Sequence, residues 1–345
     1  MQGRLEGIGN FNGAWSGDRR RLDRELRTAG AFESRHSPKH KTSLQSEVLH
    51  QADSKGLSVR ISRFPAHFAQ RFLVLMLSLL LGACASTPPN QPIAATLLGL
   101  PTQLDRAESA LATNDPSKRT LVFVAAALHS QSTAFQSDAL AMENRLADFG
   151  MPMQSIVLSN PPNGQPTLFP AATQQNLSEV FTRVGGWSDK YPLTVIVLIS
   201  SHGHVDQLAI DIAGQAHPPI RSSVLDRWLR RINPAAPTAV LLSACHSGSF
   251  VPALGNGSRV LLTASAADRS SFGCNPKSTN TWFIESLLEH GLRPELSWRE
   301  AFNRTAKRVE AREKELKFIP SMPQASIPAI WAETPLGDWL RGPQP

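Results

Sequence analysis

Continuous apolar runs that alternate with helix-like segments constrain the fold of this chain more than any other feature. The runs are RTLVFVAAALH (119–129), MQSIVLSN (153–160), LTVIVLIS (193–200), TAVLLSA (238–244) and RVLLTASA (259–266). An apolar run without alternation is typical of a strand buried on both faces, as strands are in a parallel sheet. The pattern therefore predicts an α/β fold with a mostly parallel sheet.

The segments between these runs predict helices on both faces of the sheet. Apolar residues at helical spacing predict helices at 133–149, 173–185, 219–232, about 280–290 and 297–316. Residues 206–213 alternate instead and predict part of a hairpin. In layered sheets of this kind the chemistry lies beyond the carboxyl ends of the strands. The residues that follow each strand are therefore the first candidates for a functional site.

An export signal precedes the predicted strands. The apolar stretch FLVLMLSLLLGA (72–83) follows three arginines between positions 60 and 71. A basic region before a short apolar core is typical of a secretory signal peptide, and the core is too short to span a bilayer. The stretch ends in Leu-Gly-Ala-Cys, which resembles the bacterial lipobox, so Cys84 is predicted to be lipidated. Ala85 follows where Asp would indicate inner-membrane retention, and the resemblance implies an outer-membrane lipoprotein that faces the periplasm.

These features divide the chain into five predicted parts. They are a doubtful or disordered leader (1–58), the lipoprotein signal peptide (59–83), the lipid anchor with a Pro- and Thr-rich tether (84–117), a globular domain (118–335) and a C-terminal tail (336–345).

The positive charge of the chain is concentrated before the predicted domain. The whole chain has 35 Lys and Arg against 28 Asp and Glu, and residues 1–84 hold 13 and 7 of these. The remaining 22 basic and 21 acidic residues leave the rest of the chain near neutral. A nucleic-acid-binding protein needs a basic surface, so this class of function is excluded for the domain.

A histidine and a cysteine follow two predicted strands. The third strand ends in SSHGH, with His202 and Gly203, and the fourth ends in SACHSGSF, with Cys245. An imidazole beside a thiol can activate it as a nucleophile. Gly203 has no Cβ and admits a close backbone approach, so its N–H and that of Cys245 could stabilise an oxyanion.

The order of these motifs resembles the caspase–legumain clan of cysteine peptidases. SACHSGSFVPAL, LLTASAADRSSFGC and SMPQ resemble the bacterial branch of the legumain family, peptidase family C13, over about residues 119–330. The resemblance implies a caspase-like three-layer sandwich and a cysteine endopeptidase without a cofactor, acting on proteins or peptides. It implies that His202 is the general base, Cys245 the nucleophile and Gly203 the oxyanion-hole partner.

The resemblance also bears on the substrate pocket. Asparaginyl-specific members carry an acidic residue two positions before the nucleophile, where this chain has Ser243. They also carry an Arg-His pair early in the first helix, where the nearest match is Ala134-Phe135. Ser270 and Ser271 match the serines at the edge of the family's pocket and are predicted to contact the substrate. The resemblance thus implies the reaction class and leaves the preferred residue before the cut bond open.

Three other functions stay open from the residues. The first is a transpeptidase or ligase, because an amine can replace water as the group that resolves the acyl-enzyme. The second is a zinc hydrolase, because His202, His204 and Asp206 form a His-x-His-x-Asp pattern; Gln207 stands where such clusters need a further His, so no metal is predicted. The third is a lipid-anchored binding module that has kept the fold.

Overall fold

The computed structural model describes residues 99–162, 168–255 and 257–342. The predicted leader, the signal peptide and the lipidation site Cys84 lie outside these ranges. Within them, no helix combines the length and the apolarity needed to cross a bilayer.

Two sheets organise the described part of the chain. The strands are β1 (Thr120–Ala127), β2 (Met153–Ser159), β3 (Leu193–Ser200), β4 (Gly203–His204), β5 (Gln207–Ile212), β6 (Gln215–Ile220), β7 (Thr238–Ser243), β8 (Val260–Thr263) and β9 (Gln324–Ser326). The larger sheet has the order β2-β1-β3-β7-β8-β9, and the smaller one has the order β4-β5-β6. All neighbours in the larger sheet are parallel except β8 and β9.

Helices cover both faces of the larger sheet. They are α1 (Leu100–Thr113), α2 (Ala134–Ala147), α3 (Gln174–Lys190), α4 (Ser222–Leu229), α5 (Val251–Leu254), α6 (Trp282–Ser286), α7 (Trp298–Glu315), α8 (Ala329–Ala332) and α9 (Leu336–Arg341). A 3₁₀ turn precedes α5 and a π-helical turn follows α6.

Alternate residues of β1 show why the fold has three layers. Val122 and Val124 pack into one apolar core with α1, α3 and α4. Leu121 and Phe123 pack into a second core with α2, α6, α7 and α9. Successive side chains of a strand point to opposite faces, so an unbroken apolar run is what two covered faces require. The predicted α/β architecture, with a mostly parallel sheet and helices on both faces, is confirmed.

The folded region extends beyond both predicted limits of the domain. The tether was predicted to reach residue 117, but residues 100–113 form α1, whose Leu104 and Leu111 are buried. The tail was predicted to begin at residue 336, but α9 buries Trp339, and the Thr194 hydroxyl donates to the Leu340 carbonyl at 2.9 Å. Short amphipathic helices gain their stability mainly from such packing rather than from their own sequence, which is why both predictions were wrong.

The predicted helix at 219–232 is also shorter than expected. The chain is extended as β6 through residue 220, and α4 begins only at Ser222. Pro218 and Pro219 explain the difference, because a residue before proline is disfavoured in the α conformation and proline donates no backbone hydrogen bond. The alternating segment 206–213 does belong to a hairpin, formed by β5 and β6.

Candidate active site

The ends of β3 and β7 bring His202 and Cys245 to the same edge of the sheet. The two strands are parallel neighbours, with Ser200 opposite Ser243 in register. Each strand ends two residues before its candidate residue. The Ser201 N–H donates to the Ser243 carbonyl at 3.0 Å, and the Ala209 N–H donates to the His202 carbonyl at 2.9 Å. Sheet hydrogen bonds therefore hold the backbone on both sides of the candidate pair.

Gly203 lies directly against the backbone of Cys245. A Cβ built on Gly203 would overlap the Cys245 carbonyl oxygen and would lie 3.0 Å from the Ala244 Cβ. No larger residue fits here without displacing the end of β7. The His-Gly and Ala-Cys motifs, 42 positions apart between Gly203 and Cys245, are thus packed against each other.

Ser271 contacts the half-buried sulfur of Cys245. The Ser271 N–H donates to Sγ at 3.3 Å, and the Ser271 carbonyl accepts from the thiol at 3.5 Å. The next residue after the cysteine, His246, has φ of 57° and donates its N–H to the Arg269 carbonyl at 2.8 Å. A left-handed residue reverses the chain sharply, so the cysteine sits at the turn between β7 and the following 3₁₀ turn.

His202 is half-buried between two rings. Its imidazole centroid lies 4.6 Å from that of His129 and 5.1 Å from that of Phe135, with interplanar angles of 86° and 81°. The pKa of His202 is lowered to about 4, mainly by burial and also by His129 and His204, whereas Asp211 opposes the shift. A base with this pKa is neutral at neutral pH and can accept a proton.

The imidazole and the sulfur are not hydrogen-bonded to each other. Among the described residues, Ser271 supplies the hydrogen-bond contacts of the Cys245 sulfur, and no group hydrogen-bonds to the His202 ring. Catalytic hydrogen bonds commonly tighten only when substrate binds, so this geometry is compatible with a nucleophile and base on adjacent strand ends.

A buried polar network lies beneath the two strand ends. Asp138 of α2 is fully buried, and its carboxylate accepts from the hydroxyls of Ser200 and Thr281, both at 2.7 Å. It also accepts from the Thr281 N–H and the Asn280 amide, both at 3.0 Å. The Thr281 hydroxyl lies 2.7 Å from that of Ser243. One carboxyl group thus connects α2, the end of β3 and the end of β7.

The three predicted substrate contacts have different surroundings. Ser243 is only 1% exposed, and its hydroxyl pairs with Thr281. Ser271 touches the Cys245 sulfur, and Ser270, the residue before it, is exposed. Ser271 therefore lies beside the Cys245 sulfur, whereas Ser243 lies below the surface.

The remaining polar residues of the motifs lie around this centre. The rings of His204 and His246 are stacked, with centroids 6.3 Å apart. Burial raises the pKa of Cys274, and Cys245 and Asp138 raise it further, so Cys274 stays a thiol at neutral pH. In the ranges that the structure describes, no group of three or more His, Cys, Asp or Glu side chains is placed to hold a metal ion.

Sequence reasoning missed three residues of this site. His129 is the second residue after the end of β1, as His202 and Cys245 are after their strands, and the rule that residues after strands deserve attention could have found it. Asp138 and Thr281 carry no local signal, because a carboxylate in a helix and a threonine before one are normally exposed or capping residues. Their connection arises only from the packing of α2 and α6 on the sheet.

A comparison with protein families now identifies the region that contains the site. Residues 189–333 match the model of the Peptidase C13 family. The matched segment includes His202, Gly203 and Cys245, and it belongs to the family that the motifs resemble in the sequence. The bacterial branch within C13 stays a prediction.

The chain was also compared with solved structures and with curated proteins. Among solved structures, the chain is similar to caspase-1 from Spodoptera frugiperda, with 11% identity and a TM-score of 0.42 over 62% of this chain and 90% of that chain. No curated protein gives a significant match to the sequence.

Proposed function

We propose that the chain is a cysteine-type endopeptidase of the bacterial C13 branch that acts through Cys245 and His202. The contact between Gly203 and the Cys245 backbone carries the proposal, because it joins the His-Gly and Ala-Cys motifs at one edge of the sheet. The C13 match over residues 189–333 supports the same reaction class.

Acylation uses the neutral imidazole as a base. The Cys245 sulfur attacks the peptide carbonyl carbon, and its proton passes to His202. The carbonyl π electrons move to oxygen, and the N–H groups of Gly203 and Cys245 stabilise the resulting oxyanion. The C–N bond then breaks, His202 returns the proton to the leaving amine, and a thioester remains on Cys245.

Deacylation repeats the sequence with water. His202 removes a proton from the attacking water, whose oxygen bonds to the thioester carbon, and the same N–H groups hold the second oxyanion. The C–S bond breaks, the sulfur leaves and is reprotonated from His202, and a carboxylic acid is released.

Ser270 and Ser271 are the proposed substrate contacts at the surface. Ser271 contacts the sulfur, and Ser270, the residue before it, is exposed. Ser243 acts from below, through its hydrogen bond to Thr281. At the positions matched to the acidic residue and the Arg-His pair of asparaginyl-specific members this chain has Ser243, Ala134 and Phe135, so asparaginyl specificity is not part of the proposal.

The test of the activity uses the full chain in detergent and a peptide library analysed by mass spectrometry. Wild type is expected to cleave, Cys245→Ser and His202→Ala are expected to be inactive, and Cys274→Ser is the matched control that retains activity. Cleavage that survives Cys245→Ser would refute the proposed nucleophile.

Hydrolysis is distinguished from ligation in the same assay. In oxygen-18 water, a hydrolase places the label in the new carboxyl group of each product. Unlabelled products joined to an added amine would show that the acyl-enzyme is resolved by transpeptidation instead.

We also propose that the enzyme is an outer-membrane lipoprotein that faces the periplasm, anchored through Cys84. The support is the lipobox at 81–84 and the basic and apolar segment before it. Cells fed an alkyne-modified palmitate are expected to label wild type but not Cys84→Ala, with the label in the outer-membrane fraction. Label that persists in Cys84→Ala would refute the anchor.

A further inference from the structure

The candidate base belongs to a cluster of three rings. His129 and Phe135 flank His202, and the His129 and Phe135 centroids are 6.3 Å apart at 59°. Both contacts to His202 are nearly perpendicular. Edge-to-face contacts between rings are favourable and depend on orientation. The pair therefore restricts how the His202 ring can turn.

His129 is itself held in place at the end of β1. Its Nδ1 accepts from the Gln131 N–H at 3.3 Å, so this nitrogen carries no proton while the bond is present. On the other side, the Asp211 N–H donates to the Leu128 carbonyl at 2.9 Å. The Asp211 carboxylate accepts from the Gly214 N–H at 3.0 Å and also bonds the Ser130 hydroxyl. The Leu128 carbonyl and the Ser130 hydroxyl thus attach the two neighbours of His129 to β5.

Phe135 packs against the other side of the His202 ring. Its side chain is fully buried in the first turn of α2. His202 is consequently placed between a fixed aromatic ring and an imidazole whose own position is fixed.

A base in a nucleophile–base pair normally needs a third group that sets its orientation. That group usually forms a hydrogen bond to the far nitrogen of the imidazole. In the described ranges no such hydrogen bond to His202 is present, and the two rings are its side-chain ring neighbours. The orientation that a hydrogen bond would supply must come from packing.

We propose that His129 is a positioning residue for the base, whose ring acts with Phe135 to fix the orientation of the His202 imidazole. The proposal deepens the peptidase function and rests on it, because the base has a role only if Cys245 is the nucleophile. His129, which lies outside the segment 189–333 that matches the family model, would thus contribute to the reaction at Cys245.

His129 also acts on the protonation of His202. The titratable groups that face His202 are His129 at the end of β1, Asp211 on β5 and His204 on β4. Positive charge on His129 or His204 disfavours the imidazolium of His202, and Asp211 favours it. Removal of His129 should therefore raise the pKa of His202 and move the acid limb of the kcat/KM profile to higher pH.

The experiment compares three variants of the full chain. His129→Phe keeps a ring beside His202, His129→Ala removes it, and His217→Ala on β6 removes an exposed histidine as the matched control. We expect His129→Ala to lower kcat by roughly 10- to 100-fold with little change in KM, as misplacement of a catalytic group does. His129→Phe and His217→Ala should remain close to wild type in kcat. A kcat of His129→Ala equal to that of wild type would overturn the proposal.

A second measurement does not depend on peptidase activity. The imidazole resonances of His202, assigned with His202→Gln, report both its pKa and the ring currents of its neighbours. In His129→Ala the resonances should shift and the pKa should rise, and in His129→Phe the ring-current shift should largely persist. Unchanged resonances and pKa in His129→Ala would overturn the positioning role. The absence of Cys245-dependent turnover in wild type would instead refute the proposed function.

Discussion

Asp138→Asn tests how the buried network beneath the strand ends is charged. In wild type, burial raises the pKa of Asp138 from 3.8 to about 7, although four hydrogen bonds from Ser200, Asn280 and Thr281 oppose this. Both partners of Oδ2 are hydroxyls, which can also accept. An asparagine can therefore keep Oδ1 as the acceptor for Asn280 and the Thr281 N–H while its amide donates to the two hydroxyls.

The expected effect is a change in the pH dependence of stability. The folded state holds the proton more tightly than the unfolded chain, so the stability that Asp138 contributes is fully present below pH 3.8 and is lost as the pH rises through about 7. At 1.36 kcal/mol for each pH unit, the loss amounts to about 4 kcal/mol for a fully buried group. Asparagine does not titrate, so Asp138→Asn should become more stable relative to wild type by this amount as the pH rises.

The measurement is the free energy of unfolding in urea between about pH 4 and 8, with equal m-values required for the comparison. Asp268→Asn is the control, because the Asp268 side chain is 80% exposed and should change stability by less than about 0.5 kcal/mol at every pH. If the difference between wild type and Asp138→Asn does not vary with pH, the carboxylate is ionised throughout. The four donors would then outweigh burial, and the reasoning would be refuted.

Three other perturbations give separate tests of the site and the fold. Gly203→Ala should lower kcat by about 100-fold or more and cost about 1–3 kcal/mol in stability, because its Cβ overlaps the end of β7. Gly186→Ala on α3 is the control, because the added Cβ meets no atom within 4 Å, and it should stabilise the protein by roughly 0.5–1 kcal/mol. Equal shifts of the thermal unfolding midpoint for Gly203→Ala and Gly186→Ala would contradict the close contact between Gly203 and Cys245. The acid limb of kcat/KM should have its inflection at about pH 4, with activity lost below it, because the pKa of His202 is lowered to about 4; an inflection near 6.5 would show an unperturbed base. Trp339→Ala should lower the free energy of unfolding in urea by about 3–5 kcal/mol, since its ring packs 5.1 Å from that of Trp298, and a loss below about 1 kcal/mol would mean that α9 is not part of the core.

The sequence predicted the central strands well because their signal is the burial itself. β1, β3 and β7 are buried at every position, and a run such as LTVIVLIS has few other stable environments in a protein of this composition. β6 has no such signal, since QAHPPI is exposed over most of its length and lies at an edge. β9 has only three residues, and its position depends on pairing with β8.

For the candidate site, the sequence predicted which residues come together but not the environment of each one. Strand ends placed His202 and Cys245 together, because parallel neighbours end at the same edge. The environment of each residue was not predictable. The pKa of His202 depends on its burial and on charged neighbours from other segments, and the role of Asp138 depends on the hydroxyls of Ser200 and Thr281, which come from two different segments.

The position of α9 has a consequence for how the protein acquires its structure. The final helix of the described chain closes the second core, next to α7, and β9 adds the outer strand of the sheet. If the chain emerges from a channel with its N-terminus first, β1, β3 and β7 emerge long before α9 and β9, which complete the second core and the sheet. Contacts between distant segments also form slowly. We therefore expect the polypeptide to remain unfolded and dependent on holding factors until its last residues are released.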